Sequence, residues 1–139
     1  MEMIEAPAER IPAIGDYDVA VAGAGPAGVA AGVAAAREGA RALIVDPLAF
    51  PGGTATGSLL WGFMGRPNGR ILDETLGRLS KAGGVEGYLP RATRLMSTCS
   101  CTGEAAGVAA AMAASEGVAP EGLDGERVRR RMNELGNDV

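Results

Sequence analysis

Eighteen uncharged positions, Val19 to Ala36, lie between Asp18 and Arg37, and the run changes character partway along. Val19–Ala22 carries only small apolar side chains, as a buried parallel strand does. Gly23-Ala-Gly-Pro-Ala-Gly28 then breaks the strand. From Pro26 to Arg37 the chain reads as a helix, because proline suits a first helical turn and only Gly32 interrupts the helix formers that follow. A second apolar run, Ala40–Val45, predicts a second strand that ends at Asp46. Pro47 to Gly57 holds two prolines and the Gly52-Gly53 pair, which predicts a helix-free loop bordering the apolar stretch Leu59 to Met64.

The second half is mostly helical in pattern. Arg66 to Arg70 reads as a turn, and Ile71 to Lys81 as a helix with Ile71, Leu72, Leu76 and Leu79 near one face, ended by Gly83-Gly84. Leu89 to Met96 fits a strand or an extended connection equally. Thr102 to Ala114 predicts a small-residue helix capped by Thr102 or Ser100 and closed by Gly117 and Pro120. Its Gly103 and Gly107 permit a close backbone approach. A last helix follows Asp124 as N-cap, with Val128, Met132 and Leu135 on one face and Gly136 as its stop. Strand, helix and strand in succession give an α/β chain with a small, Rossmann-like, mostly parallel sheet flanked by Ala/Gly-rich helices. We expect a single domain over residues 1–139.

The glycine spacing brings in chemistry. In Gly23-x-Gly25-x-x-Gly28, Gly23 lets the chain turn sharply, Gly25 leaves room for a pyrophosphate, and Gly28 lets the helix lie close on the strand. The helix start aims N–H groups and a positive dipole end at the phosphates. Asp46 follows by roughly the ~20 residues that place a carboxylate on ribose hydroxyls. Gly32, one turn after Gly28, extends the close helix–sheet contact. The order points to dinucleotide binding. A membrane helix over the same run is disfavoured, since Ala and Gly gain little on transfer to lipid and Pro26 sits near its middle.

Composition narrows the field. The chain has 139 residues, 47% of them hydrophobic but only 4% aromatic, so Ala and Gly must form thin core layers. A net charge of −4 excludes nucleic acid and anionic membranes as main partners. The Arg127-Val-Arg-Arg-Arg131 cluster reads as a solvated helix face. No basic start with an apolar core precedes Ile14, which points to the cytoplasm. Cys99 and Cys101, taken as neighbours on a strand, point to opposite faces and read as reduced packing residues. With no histidine in the chain, zinc sites and Ser–His or Cys–His catalysis are out, and any chemistry must rest on a cofactor.

These residues resemble the FAD-dependent oxidoreductases of the glutathione-reductase-like flavoprotein superfamily. The likeness runs over 16–87 through Val21-Ala-Gly-Ala-Gly-Pro-Ala-Gly28, Ile44-Val-Asp46 and Pro51-Gly-Gly-Thr54. It resumes over 89–139 with Arg94-Leu-Met-Ser-Thr-Cys99 and Thr102-Gly-Glu-Ala-Ala-Gly107. The resemblance implies FAD as cofactor, with Gly23, Gly25, Pro26, Ala27 and Gly28 at the pyrophosphate and Asp46 at the adenosine ribose. It further implies Gly52, Gly53 and Thr54 beside the ribityl chain or flavin ring. A helix starting near Gly103, with Glu104 and Ala105, would aim its N-terminus at the flavin. Thr56 could add a hydrogen bond from the loop, and Tyr88, Cys99, Arg66 and Arg70 are the polar groups that could approach the ring.

The departure from the family is its length. Family members run to several hundred residues, and here the middle, with the substrate domain and most catalytic groups, is absent. No catalytic residue or small-molecule substrate can be assigned. Two readings stand beside the oxidoreductase: a non-catalytic FAD-binding module or remnant, and an NAD-binding dehydrogenase domain. In the former, uncovered sheet edges would call for self-association or a partner subunit.

Overall fold

The computed structural model describes residues 13–58, 69–83 and 96–137. Strand β1 (Val19–Ala22) leads through the glycine turn into helix α1 (Pro26–Arg37), and strand β2 (Ala42–Val45) returns beside β1. Helix α2 (Thr54–Gly57) follows, then α3 (Arg70–Lys81), α4 (Met96–Glu116), a 3₁₀ turn at Pro120–Gly122, and α5 (Gly125–Glu134). Among the described residues the sheet is two parallel strands, with Val19 opposite Ala42 and Val21 opposite Ile44.

Residues opposite one another in a parallel ladder share a face. Val19, Val21, Ala42 and Ile44 therefore form the face against the helices, where Val19 packs with Ala35 of α1 and Ala111 of α4. Gly32 is required there, because a Cβ would press into the Ile44 side chain. On the other face Ala20 and Ala22 are exposed and Val45 keeps 56% of its surface open.

Helices α1 and α4 meet backbone to backbone. A Cβ on Gly103 would overlap the Ala27 carbonyl, and one on Gly107 the Ala31 carbonyl. Both numbers rise together, so the two helices run parallel, and the spacing of four keeps both glycines on one face. The main apolar cluster lies beside this seam: Ala30 and Ala34, Ile71 of α3, Val108 of α4 and Met132 of α5.

Most elements follow the sequence pattern. Helix α1 spans the predicted residues, α3 begins one residue early, and β2 is shorter than Ala40–Val45. Asp124 caps α5 by accepting the Glu126 N–H at 3.0 Å, and Met132 is buried with Val128 and Leu135 packed around it. The positive φ of Gly117 and of Gly136 follows the ends of α4 and α5.

Five expectations are corrected. The loop from Pro47 to Gly57 contains one helical turn, α2, which Gly53 starts with φ 52°. Helix α4 begins at Met96, not near Gly103. Thr102 does not cap it; its hydroxyl donates back to the carbonyls of Thr98 (3.0 Å) and Cys99 (3.1 Å) inside the helix. Cys99 and Cys101 consequently sit on a helix and not a strand, and neither forms a disulfide. Leu79, expected on the buried face of α3, is exposed. Leu59 to Met64, Arg66 to Asn68, Gly84, Tyr88 and the stretch Leu89 to Arg94 lie outside the described residues. No described helix is long and apolar enough to cross a membrane.

Candidate functional site

The carboxyl ends of both strands and the start of α1 meet at the glycine turn. Gly23 takes φ 102°, which side chains rarely adopt, and its N–H continues the ladder to the Val45 carbonyl at 2.7 Å. Gly28 has no room for a side chain: a Cβ would overlap the Gly23 carbonyl oxygen, with the Val21 side chain close behind. Gly25 is the opposite case. A Cβ there would meet nothing within 4 Å, so the space over the turn is open.

That open space faces an uncapped helix. Gly25 supplies no side-chain cap, proline occupies the first helical position, and the first turn carries no acidic residue. Val29 is the first N–H of α1 to be used, donating to the Gly25 carbonyl at 2.9 Å. The N–H groups of Ala27 and Gly28 have no acceptor among the described residues. A helix start of this kind concentrates roughly half a positive charge on unpaired donors, the setting a phosphate group fits.

Asp46 closes the far side. Its carboxylate accepts the Ala24 N–H at 2.5 Å and the Leu48 N–H at 2.8 Å, fastening β2 to the glycine turn. These bonds, Ala24 first, hold its pKa below the ordinary carboxylate value. Asp46 is thus an anion at neutral pH, and each of its oxygens retains acceptor capacity for a hydroxyl.

The Gly52–Thr54 segment is brought onto the same turn. Gly52 donates its N–H to the Ala24 carbonyl at 2.7 Å, and a Cβ on Gly53 would lie 2.9 Å from the Gly25 Cα. Thr54 is exposed at the start of α2. Thr56 is exposed, and its hydroxyl donates to the Pro51 carbonyl at 2.9 Å within its own loop. Leu48 and Phe50, both about half exposed, flank α2 beside Gly57. Sequence reasoning did not single them out, because two apolar residues among prolines carry no periodic signal.

The α4 residues divide. Gly103 supports the first turn of α1 through Ala27, and Ser100 donates its hydroxyl to the Pro26 carbonyl at 3.4 Å. Since the helices run parallel and α4 starts at Met96, α4 extends past the start of α1 by about 9 Å, taking 1.5 Å per residue. Residues 103–105 therefore stand in mid-helix, where their N–H groups serve the helix itself. Glu104 faces away from the glycine turn and is 1% exposed; it accepts the Ile71 N–H at 3.2 Å and the Asn137 side-chain amide at 3.1 Å. Ala105 packs on the main apolar cluster, and Arg70 lies beside Glu104, its Nε 3.8 Å from Oε1. The structure thus gathers Gly23 to Gly28, Asp46 and Gly52 to Thr54, and engages Glu104, Ala105 and Arg70 instead with α3, Asn137 and the main apolar cluster. No cluster of residues able to hold a metal ion occurs among the described residues.

The open cradle, its unpaired donors and the nearby carboxylate fit the pyrophosphate and ribose of a dinucleotide. Comparison with known proteins agrees in kind. The family model described as FAD dependent oxidoreductase matches residues 18–92 and 90–132. No curated protein and no solved structure matches the chain. FAD is the cofactor this match implies. Covering more than half of the sequence and including the glycine turn just described, the match makes this chain a member of the FAD dependent oxidoreductase family.

Proposed function

We propose that this chain is the FAD-holding unit of an oxidoreductase whose cofactor pyrophosphate rests on the start of α1. The unpaired Ala27 and Gly28 N–H groups beneath the open space at Gly25 are the observation that carries the reading. Asp46 accepts hydroxyls of the adenosine ribose while it holds the turn together. Gly52, Gly53 and Thr54 border the chain leading to the flavin. When bound, the flavin supplies a hydride acceptor for a small-molecule substrate. The protein's part is to bind, orient and shield it, since the sequence holds no histidine to move protons near neutral pH.

A specific observation favours a second reading, a cofactor-binding module that functions only with a partner subunit or a second copy. The sheet face formed by Ala20, Ala22 and Val45 is exposed among the described residues, although parallel sheets are normally covered on both sides. A short family member lacking its middle part would need that cover from another chain.

An absorbance spectrum of the purified chain, before and after FAD addition and buffer exchange, tests the binding reading. Flavin bands at one cofactor per chain are expected. A colourless protein that takes up no FAD overturns it. Flavin uptake with bleaching by dithionite but by no candidate substrate would favour the module.

A further inference from the structure

We propose that α3 is a strap latched to the rest of the protein at its first turn by Glu104 and Asn137, and that it opens as a unit when the latch is broken. This inference stands apart from cofactor binding and rests on how α3 is held.

Helix α3 brings no cap of its own. Its N-cap is Gly69, which has no side chain to offer. The first two donors of the helix are instead satisfied by groups from other elements. Arg70 N–H donates to Asn137 Oδ1 at 3.0 Å, and Ile71 N–H donates to Glu104 Oε2 at 3.2 Å. Asn137 closes the ring by donating its amide to Glu104 Oε1 at 3.1 Å and to the Met132 carbonyl at 3.4 Å. Glu104 is 1% exposed and Asn137 7%. One cluster therefore joins the start of α3, the middle of α4 and the tail of α5. Gly69 is fixed in the same place, because a Cβ there would stand 2.9 Å from the Cys101 sulfur.

Attachment is concentrated at that end. Ile71 and Leu72 are the buried apolar residues of α3, and both belong to its first turn. Beyond them Glu74, Thr75 and Leu76 are half-buried, and from Gly77 onward the helix is exposed, Leu79 included. Among the described residues its other side-chain tie to a neighbouring helix is the Glu74–Arg37 pair at 2.7 Å, roughly one-third exposed on both sides, which is a weak anchor. The latch itself is sensitive to loss of one member. Arg70 Nε pairs with Glu104 at 3.8 Å without a hydrogen bond among the described residues, so the hydrogen bonds to the buried carboxylate come from Ile71 and Asn137. Losing one of those partners leaves the buried charge under-satisfied at the point where α3 is attached to it. An element held this way opens locally before the whole protein unfolds.

Native-state hydrogen exchange on the full chain tests this, with Asn137→Ala and Glu74→Gln compared to the parent. In the parent, amides of Asp73–Lys81 should exchange ahead of those in the middle of α1 and α4. Asn137→Ala should speed α3 exchange by about tenfold or more, the effect of losing roughly one charged hydrogen bond, and leave α1 and α4 nearly unchanged. Glu74→Gln should change α3 by no more than a few-fold. A folded Asn137→Ala protein in which all three helices accelerate alike overturns the latch. Should that variant unfold, the parent decides: α3 exchanging in step with α1 and α4 overturns the strap.

Discussion

Gly28 and Asp46 act on the same few atoms at the glycine turn from opposite directions. Gly28 keeps the turn tight by having nothing to place against the Gly23 carbonyl. Asp46 keeps it closed by accepting the Ala24 N–H. Gly28→Ala should destabilise the fold by about 1–3 kcal/mol, the usual cost of overpacking, and abolish FAD uptake; chemical denaturation and flavin absorbance would read the two effects. Asp46→Asn should carry a pH signature. The folded pKa of Asp46 lies below its ordinary value of 3.8, so its ionised form stabilises the fold above that value. That contribution is lost as pH falls through the folded pKa. The stability gap between parent and Asp46→Asn should therefore be constant at neutral pH and close in acid, as denaturation curves from pH 7 downward would show. The glycine spacing made the role of Gly28 readable in the sequence, whereas Asp46 was read only for the ribose and its hold on Ala24 came from the fold. Glu104 was different: a carboxylate flanked by small residues in a helix carries no sign of which neighbour it will meet, and only the packing of α3 on α4 gave it one.

Among the elements, the α1–α4 pair carries the most structural weight. Ala and Gly bury little area each, so the gain comes from bringing two backbones into contact along Gly103, Gly107, Ala27 and Ala31. Gly107→Ala would raise helix propensity by about 1 kcal/mol, yet the new methyl collides with the Ala31 carbonyl. Net destabilisation, visible as a lower Tm, is the expected outcome, and an unchanged or higher Tm would contradict the contact. Asp124→Ala should cost about 1 kcal/mol through loss of the α5 cap, measured by urea unfolding. Helix ends were legible where a residue type forces them, as Pro26 does for α1 and Asp124 for α5. The start of α4 was not. Ser and Thr serve equally as caps and as interior residues that bond back to their own helix, and Thr102 does the latter.

For the whole molecule, cofactor and stability should be linked. If FAD binds the folded chain alone, a hundredfold excess over Kd adds about 2.7 kcal/mol, a large share of a small domain's total. Tm should rise with FAD concentration, and a Tm that does not move would argue against the site. The exposed sheet face sets a second expectation: sedimentation velocity should show concentration-dependent association, relieved by Val45→Lys. The sequence by itself determined the strand–turn–helix–strand unit, because glycine, proline and a run of small apolar residues restrict the backbone locally. It also determined the kind of ligand, because the glycine spacing and the following acid are set by the shape of a dinucleotide. Only the tertiary structure decided which face of α4 meets α1, that Gly52 reaches the glycine turn, and that Glu104 serves α3. Those outcomes depend on contacts between residues far apart in the chain, where alanine and glycine offer many nearly equivalent surfaces and geometry alone selects among them.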